Sequence, residues 1–138
     1  MGKCKSSLYQ KTILLQKRAL RVINHKHFNS HTEPLFKNSS ILMLVDLFEL
    51  HVLLFMYDYA NGYLPSSFSG MFQMNHEINS SYITRQSNLY YVPKCKTNFV
   101  SNMLFKTAPH TWNSWSPCLN DSGSRKQFKS LLNYLMLS

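Results

Sequence analysis

Apolar residues recur at three- and four-residue spacing in three stretches of this chain, and each stretch predicts an α-helix. Over Ser7 to Lys26, Leu8, Leu15, Ala19, Val22 and Ile23 fall near one face and the cations mostly on the other, with Asn24-His25 opening a loop. Val45 to Ala60 sets Leu47, Leu50, Leu54 and Tyr57 in register, and Phe48, Phe55 and Met56 widen the arc toward an almost fully buried cylinder. Asn61-Gly62 stops that helix, the glycine supplying a left-handed cap. Near the end, Ser124 is placed to cap a helix in which Phe128, Leu131, Leu132 and Leu135 share a stripe, expected to pack on the long helix. Thr32 and Pro34 mark the start of a short helix holding Leu35 and Phe36.

The pattern lapses after Pro65. Residues 66 to 91 are rich in Ser and Asn and alternate only in scraps such as Tyr82-Ile83-Thr84, which predicts extended or irregular chain. Phe99 to Phe105 suits a short strand or a helical turn, and Pro109 and Pro117 bracket an expected loop around Trp112 and Trp115. The fold expected is mainly α: a small helical domain with a long irregular or extended connection between residues 66 and 120. Its parts are 1–65, 66–122 and 123–138, within one domain.

Composition sharpens the first helix. The 138 residues are 44% apolar and 14% aromatic, enough for one core, and carry a formal charge of +9. Seven of the fifteen Lys and Arg lie in the first 26 residues, and no carboxylate comes before Glu33. Such a block attracts a polyanion, either nucleic acid or an anionic membrane surface. The plainer alternative is the solvated face of an ordinary amphipathic helix. Cys4, Cys95 and Cys118 are far apart without a Cys-x-x-Cys spacing, which argues against a disulfide framework or a zinc knuckle and for a reducing, intracellular setting, nuclear or cytoplasmic. The most apolar stretch, Ile41 to Tyr57, is interrupted by Asp46, Glu49 and His51, so no membrane span is expected.

Catalytic chemistry finds little support. Two-metal phosphoryl transfer needs converging carboxylates, and the six acids Glu33, Asp46, Glu49, Asp58, Glu77 and Asp121 are scattered. Met56-Tyr57-Asp58-Tyr59 superficially matches the aromatic-x-Asp-Asp turn of polymerase palms but lacks the second Asp and continues a helical pattern. His25, His27 and His31 suit a solvated loop better than a zinc site, and Cys95 between Lys94 and Lys96 has no assigned base. We expect no cofactor, no metal and no catalysis by this chain.

Several blocks, in order, resemble the segment that follows the polymerase core in reverse transcriptases of non-LTR, LINE-type, jockey-like retrotransposons. They are Leu15-Gln16-Lys17-Arg18-Ala19-Leu20-Arg21-Val22-Ile23, His31-Thr32-Glu33-Pro34-Leu35-Phe36-Lys37, Ile41-Leu42 with Asp46-Leu47, and Phe55-Met56-Tyr57. After them come Leu64-Pro65, Tyr82-Ile83-Thr84-Arg85, Trp112-Asn113-Ser114 and Phe128-Lys129-Ser130-Leu131-Leu132. The resemblance runs from about Leu14 to Leu137 and implies a thumb and carboxy-terminal extension that tracks the template-primer duplex while the palm does the chemistry. This sequence departs from the family pattern at Ala108-Pro109 and at Trp115-Ser116-Pro117. It also begins where the family's polypeptide is nearly finished, so a fragment or decayed copy is expected, with the missing polymerase core as one possible partner.

Three basic groups stand ready for an RNA, DNA or RNA-DNA hybrid backbone: Lys11, Lys17, Arg18 and Arg21; Arg85, Lys94 and Lys96; and Arg125, Lys126 and Lys129. Contacts of this kind position a duplex without reading its sequence. Tyr90, Tyr91, Trp112 and Trp115 are the residues able to stack on unpaired bases, Trp112 being better suited to the core. Two other readings stay open: a helical module that docks its apolar faces on a partner, and a fragment without function.

Overall fold

A computed structural model describes residues 7–78, 84–94, 96–97, 103–116 and 123–137. The protein is mainly helical. Helix α1 (Ser7–Ile23) leads to α2 (Glu33–Asn38) and α3 (Leu44–Ala60). A 3-10 turn at Ser66–Phe68 and a single helical turn, α4 (Asn75–Ile78), follow, then α5 (Leu104–Trp115) and α6 (Arg125–Leu137).

The long helix α3 is the axis of the fold. On one side Leu50, Leu53, Leu54 and Tyr57 meet Phe128 and Leu132 of α6, and Phe128 stacks on Tyr57 with ring centroids 4.5 Å apart. On another side Val52 and Met56 meet Phe72, Tyr90 and Ala108. Trp112 of α5 packs against both groups, which joins them into one core, as its composition suggested. The expected docking of the last helix on the long one is therefore observed. So is its cap: the Ser124 hydroxyl accepts the Gln127 N–H. The first turns of α3 depart from expectation, since Leu47 and Phe48 are exposed and only residues from Leu50 onward are enclosed. In the first turn Asp46 sits at the third helical position and accepts the Met43 N–H, while partial burial raises its pKa above the usual carboxylate value.

Three helices end the same way. After α1, His25 takes φ of +50°, its N–H bonds the Val22 carbonyl and the Lys26 N–H reaches Arg21. This left-handed cap is why the loop opens at Asn24-His25, as expected, and the helix stops at Ile23 short of Lys26. Ser40 (φ +52°) closes α2 and Gly62 (φ +71°) closes α3 through the same pair of bonds. At the start of α2 the Thr32 hydroxyl does not cap: Pro34, inside the first turn, has no N–H to be satisfied, and Thr32 contributes its backbone carbonyl to Phe36.

The tryptophan loop is instead a helix. Residues Leu104–Trp115 are helical with Pro109 inside them, fully buried next to Ala108. The proline removes one helical hydrogen bond, and burial of Ala108 and Trp112 against α3 outweighs that loss. Tyr82-Ile83, Phe99 to Asn102, Pro117, Asp121 and all three cysteines lie outside the described residues. Among the described residues the rest of the connection is irregular apart from the 3-10 turn and α4, which were not expected, with one antiparallel bridge between Met74 and Tyr90.

Irregular chain must find partners for its backbone groups. Here single side chains act as clips that satisfy an N–H and a C=O together. Asn113 donates to the Tyr90 carbonyl (2.7 Å) and accepts the Tyr90 N–H (3.1 Å). The Tyr59 hydroxyl donates to the Phe72 carbonyl (2.8 Å) and accepts the Phe72 N–H (3.1 Å). Gln16 of α1 donates to Leu42 and accepts the N–H of Leu44, the first residue of α3. In this way α1 is fastened to the amino-terminal end of α3.

Candidate nucleic-acid interface

Lys11, Lys17, Arg18 and Arg21 all lie on α1, and the structure turns them to different surroundings. Lys11 and Arg18, seven residues apart on one edge, are exposed. Lys17 is half-buried at the border with the packed face. Arg21 is committed to the fold, its Nε donating to the Ser30 carbonyl at 2.9 Å across the loop that follows the helix. No carboxylate lies on α1, so its cations keep their field toward solvent.

The second group sits elsewhere. Arg85 is exposed in the turn that precedes the Met74–Tyr90 bridge, and Lys94 and Lys96 are exposed beyond it. The third group is divided. Arg125 forms an ion pair with Asp58, its Nε lying 2.8 Å from Oδ1 and 3.0 Å from Oδ2, and this pairing raises its already high pKa. Arg125 is thus paired with a carboxylate, whereas Lys126 and Lys129 are exposed on the same helix. Asp58, the acid of the palm-like tetrapeptide, is thus the anchor of α6 within a helix.

The first and third groups are fastened at different ends of α3. Gln16 fixes α1 at Leu42 and Leu44, while Arg125 fixes the start of α6 at Asp58, about 20 Å further along α3 at 1.5 Å per residue. Helix α1 packs chiefly on α2, where Leu20 meets Leu35 and Phe36. A polyanion following α1 meets Lys11, Arg18 and Lys17, without Lys126 and Lys129 completing the same groove.

The aromatic candidates divide as well. Tyr90 is buried between Phe72 and Tyr59, and burial pushes its hydroxyl pKa up, so it does not face a base. Trp112 and Trp115 pack on the core. Tyr91 alone of the four is exposed, beside an open 290 Å³ depression lined by Met71, Gln73, Pro93 and Phe105 among others. His27 rests on Phe28, ring centroids 4.7 Å apart, and no three His, Cys, Asp or Glu side chains gather to hold a metal among the described residues.

Sequence reasoning misplaced the apolar face of α1. Leu8, Leu15 and Val22 are 71%, 61% and 74% exposed, and Ala19 and Ile23 are exposed with them. The side packed on the protein is Tyr9, Ile13, Gln16 and Leu20. The signal was Gln16, a polar residue whose amide matches two backbone partners and so belongs inside. No helix among the described residues is long and apolar enough to cross a membrane. Comparison with models of protein families, with curated proteins and with solved structures found no match to this chain.

Proposed function

We propose that this chain is a non-catalytic, helical remnant of a non-LTR retrotransposon reverse transcriptase whose ancestral work was to contact the phosphate backbone of a template-primer duplex, RNA, DNA or their hybrid, inside the cell. One observation carries the reading: a seventeen-residue helix with Lys11, Lys17, Arg18 and Arg21, no carboxylate of its own, and at least Lys11 and Arg18 open to solvent. The ordered blocks of resemblance from Leu15 to Leu132 support the family assignment. Binding of this kind is independent of sequence, since cations meet phosphates and not base edges.

The test is a map of cations by affinity for a fluorescent RNA-DNA hybrid at low salt. Replacing Lys11, Lys17 and Arg18 together by Ala should weaken binding at least tenfold, and Lys126→Ala with Lys129→Ala should weaken it less. Arg125→Ala should weaken it less than the α1 triple variant, because Arg125 is paired with Asp58. An Arg125→Ala loss equal to that of the α1 triple variant overturns the assignment of α1 as the contact.

A further inference from the structure

The outward strip of α1 has a spacing of its own. Leu8, Leu15 and Val22 lie seven apart, and Thr12 and Ala19 follow the first two at an interval of four. This is the alternation of a and d positions in a coiled coil, with Leu8, Leu15 and Val22 at d and Thr12 and Ala19 at a. Thr12 is no obstacle, because its hydroxyl already donates to the Leu8 carbonyl at 2.9 Å and leaves the strip as its apolar part. In the same register Lys11 and Arg18 occupy successive g positions, exposed along one edge. The other edge carries Gln16, which is turned to Leu42 and Leu44 of its own chain.

We infer that this strip of α1 is a docking seam for one acidic amphipathic helix of a partner protein, whose apolar stripe covers Leu8, Leu15, Ala19 and Val22 and whose carboxylates face Lys11 and Arg18. Charge complementarity selects that occupant. A second copy of this chain brings Lys11 and Arg18 against the same cations or against Tyr9 and Gln16, with no acid on α1 to receive them. The strip from Leu8 to Val22 spans about 80° of the helix circumference at 3.6 residues per turn, the width of a helix seam and narrower than the apolar face of a helix lying in a lipid surface. The inference shares Lys11 and Arg18 with the proposed function and differs from it in needing the apolar strip, so Leu15→Asp separates the two: it should abolish helix docking and leave nucleic-acid contact in place.

The experiment uses the whole chain and two labelled three-heptad peptides, each with Leu at a and d, one with Glu and one with Lys at e and g. Vesicles of one part phosphatidylserine to two parts phosphatidylcholine form a third arm, with circular dichroism confirming the helices of every variant. The Glu peptide should bind at least tenfold more tightly than the Lys peptide. Leu15→Asp should abolish that binding, and Lys11→Glu with Arg18→Glu should reverse the preference. Absent binding of the Glu peptide, equal binding of both peptides, or capture of vesicles that Leu15→Asp abolishes while the Glu peptide stays unbound each overturns the inference.

Discussion

Two residues in the left-handed region show how much local conformation costs this chain. His25 and Ser40 adopt φ near +50° without the freedom of glycine, whereas Gly62 fills the equivalent position after α3. The Cβ of an L-residue crowds the backbone there, at about 1 to 2 kcal/mol. His25→Gly should therefore raise stability by about 0.5 to 1 kcal/mol, part of the gain being returned through the freer unfolded chain. Gly62→Ala should lower it by about 1 kcal/mol, although a methyl there meets no atom within 4 Å, because the penalty is one of backbone angle alone. Urea midpoints at constant slope measure both, and a Gly62→Ala protein as stable as the parent would contradict the account. Gly62 was legible in the sequence because Asn-Gly after an apolar run is a stop signal. His25 was legible only as part of the Asn24-His25 loop signal, and Ser40 was not, since nothing in its chemistry announces a left-handed angle.

At the scale of elements, the clips decide how irregular chain is held. Asn113 occupies both backbone groups of Tyr90, so Asn113→Ala should cost about 1 to 3 kcal/mol by leaving an enclosed N–H and C=O without partners. Asn113→Asp should not rescue it, because a carboxylate has no donor for the Tyr90 carbonyl. A variant within about 0.3 kcal/mol of the parent would show that water replaces the amide freely. This role gives the Trp112-Asn113-Ser114 block a structural meaning: the tryptophan joins two halves of the core and the asparagine ties down the connection. The sequence carried the long helix, the last helix and its serine cap, because periodicity and capping are local properties. It did not carry α5, since two prolines in a tryptophan-rich segment read as a loop, and only packing on α3 tolerates Pro109 inside a helix. The face of α1 was misread for a related reason: hydrophobicity alone chose Leu8, Leu15 and Val22, whereas Gln16 and Leu20 anchor the helix through α2 and the start of α3.

For the molecule as a whole, the described basic residues are dispersed over a helical body, and α1 carries four of them with no carboxylate on the same helix. The candidate site was legible as a charge block and not as a surface. Linear order could not reveal that Arg125 is spent on Asp58, that Arg21 is drawn to Ser30, or that the ends of α3 keep α1 and Lys126 apart. What remains is a helix with cations on one edge and an apolar seam beside them, attached to a core that α3, α5 and α6 complete without it. The central claim is that α1 grips a polyanionic backbone through Lys11, Lys17 and Arg18. Its most direct test is the affinity of the folded chain for an RNA-DNA hybrid across a salt series, read as the slope of log K against log salt. Three phosphate contacts on α1 contribute about −3 to that slope, and replacing Lys11, Lys17 and Arg18 by Ala should flatten it by about that much. No binding by a chain whose circular dichroism is helical, or a slope that the triple replacement leaves unchanged, would contradict the claim.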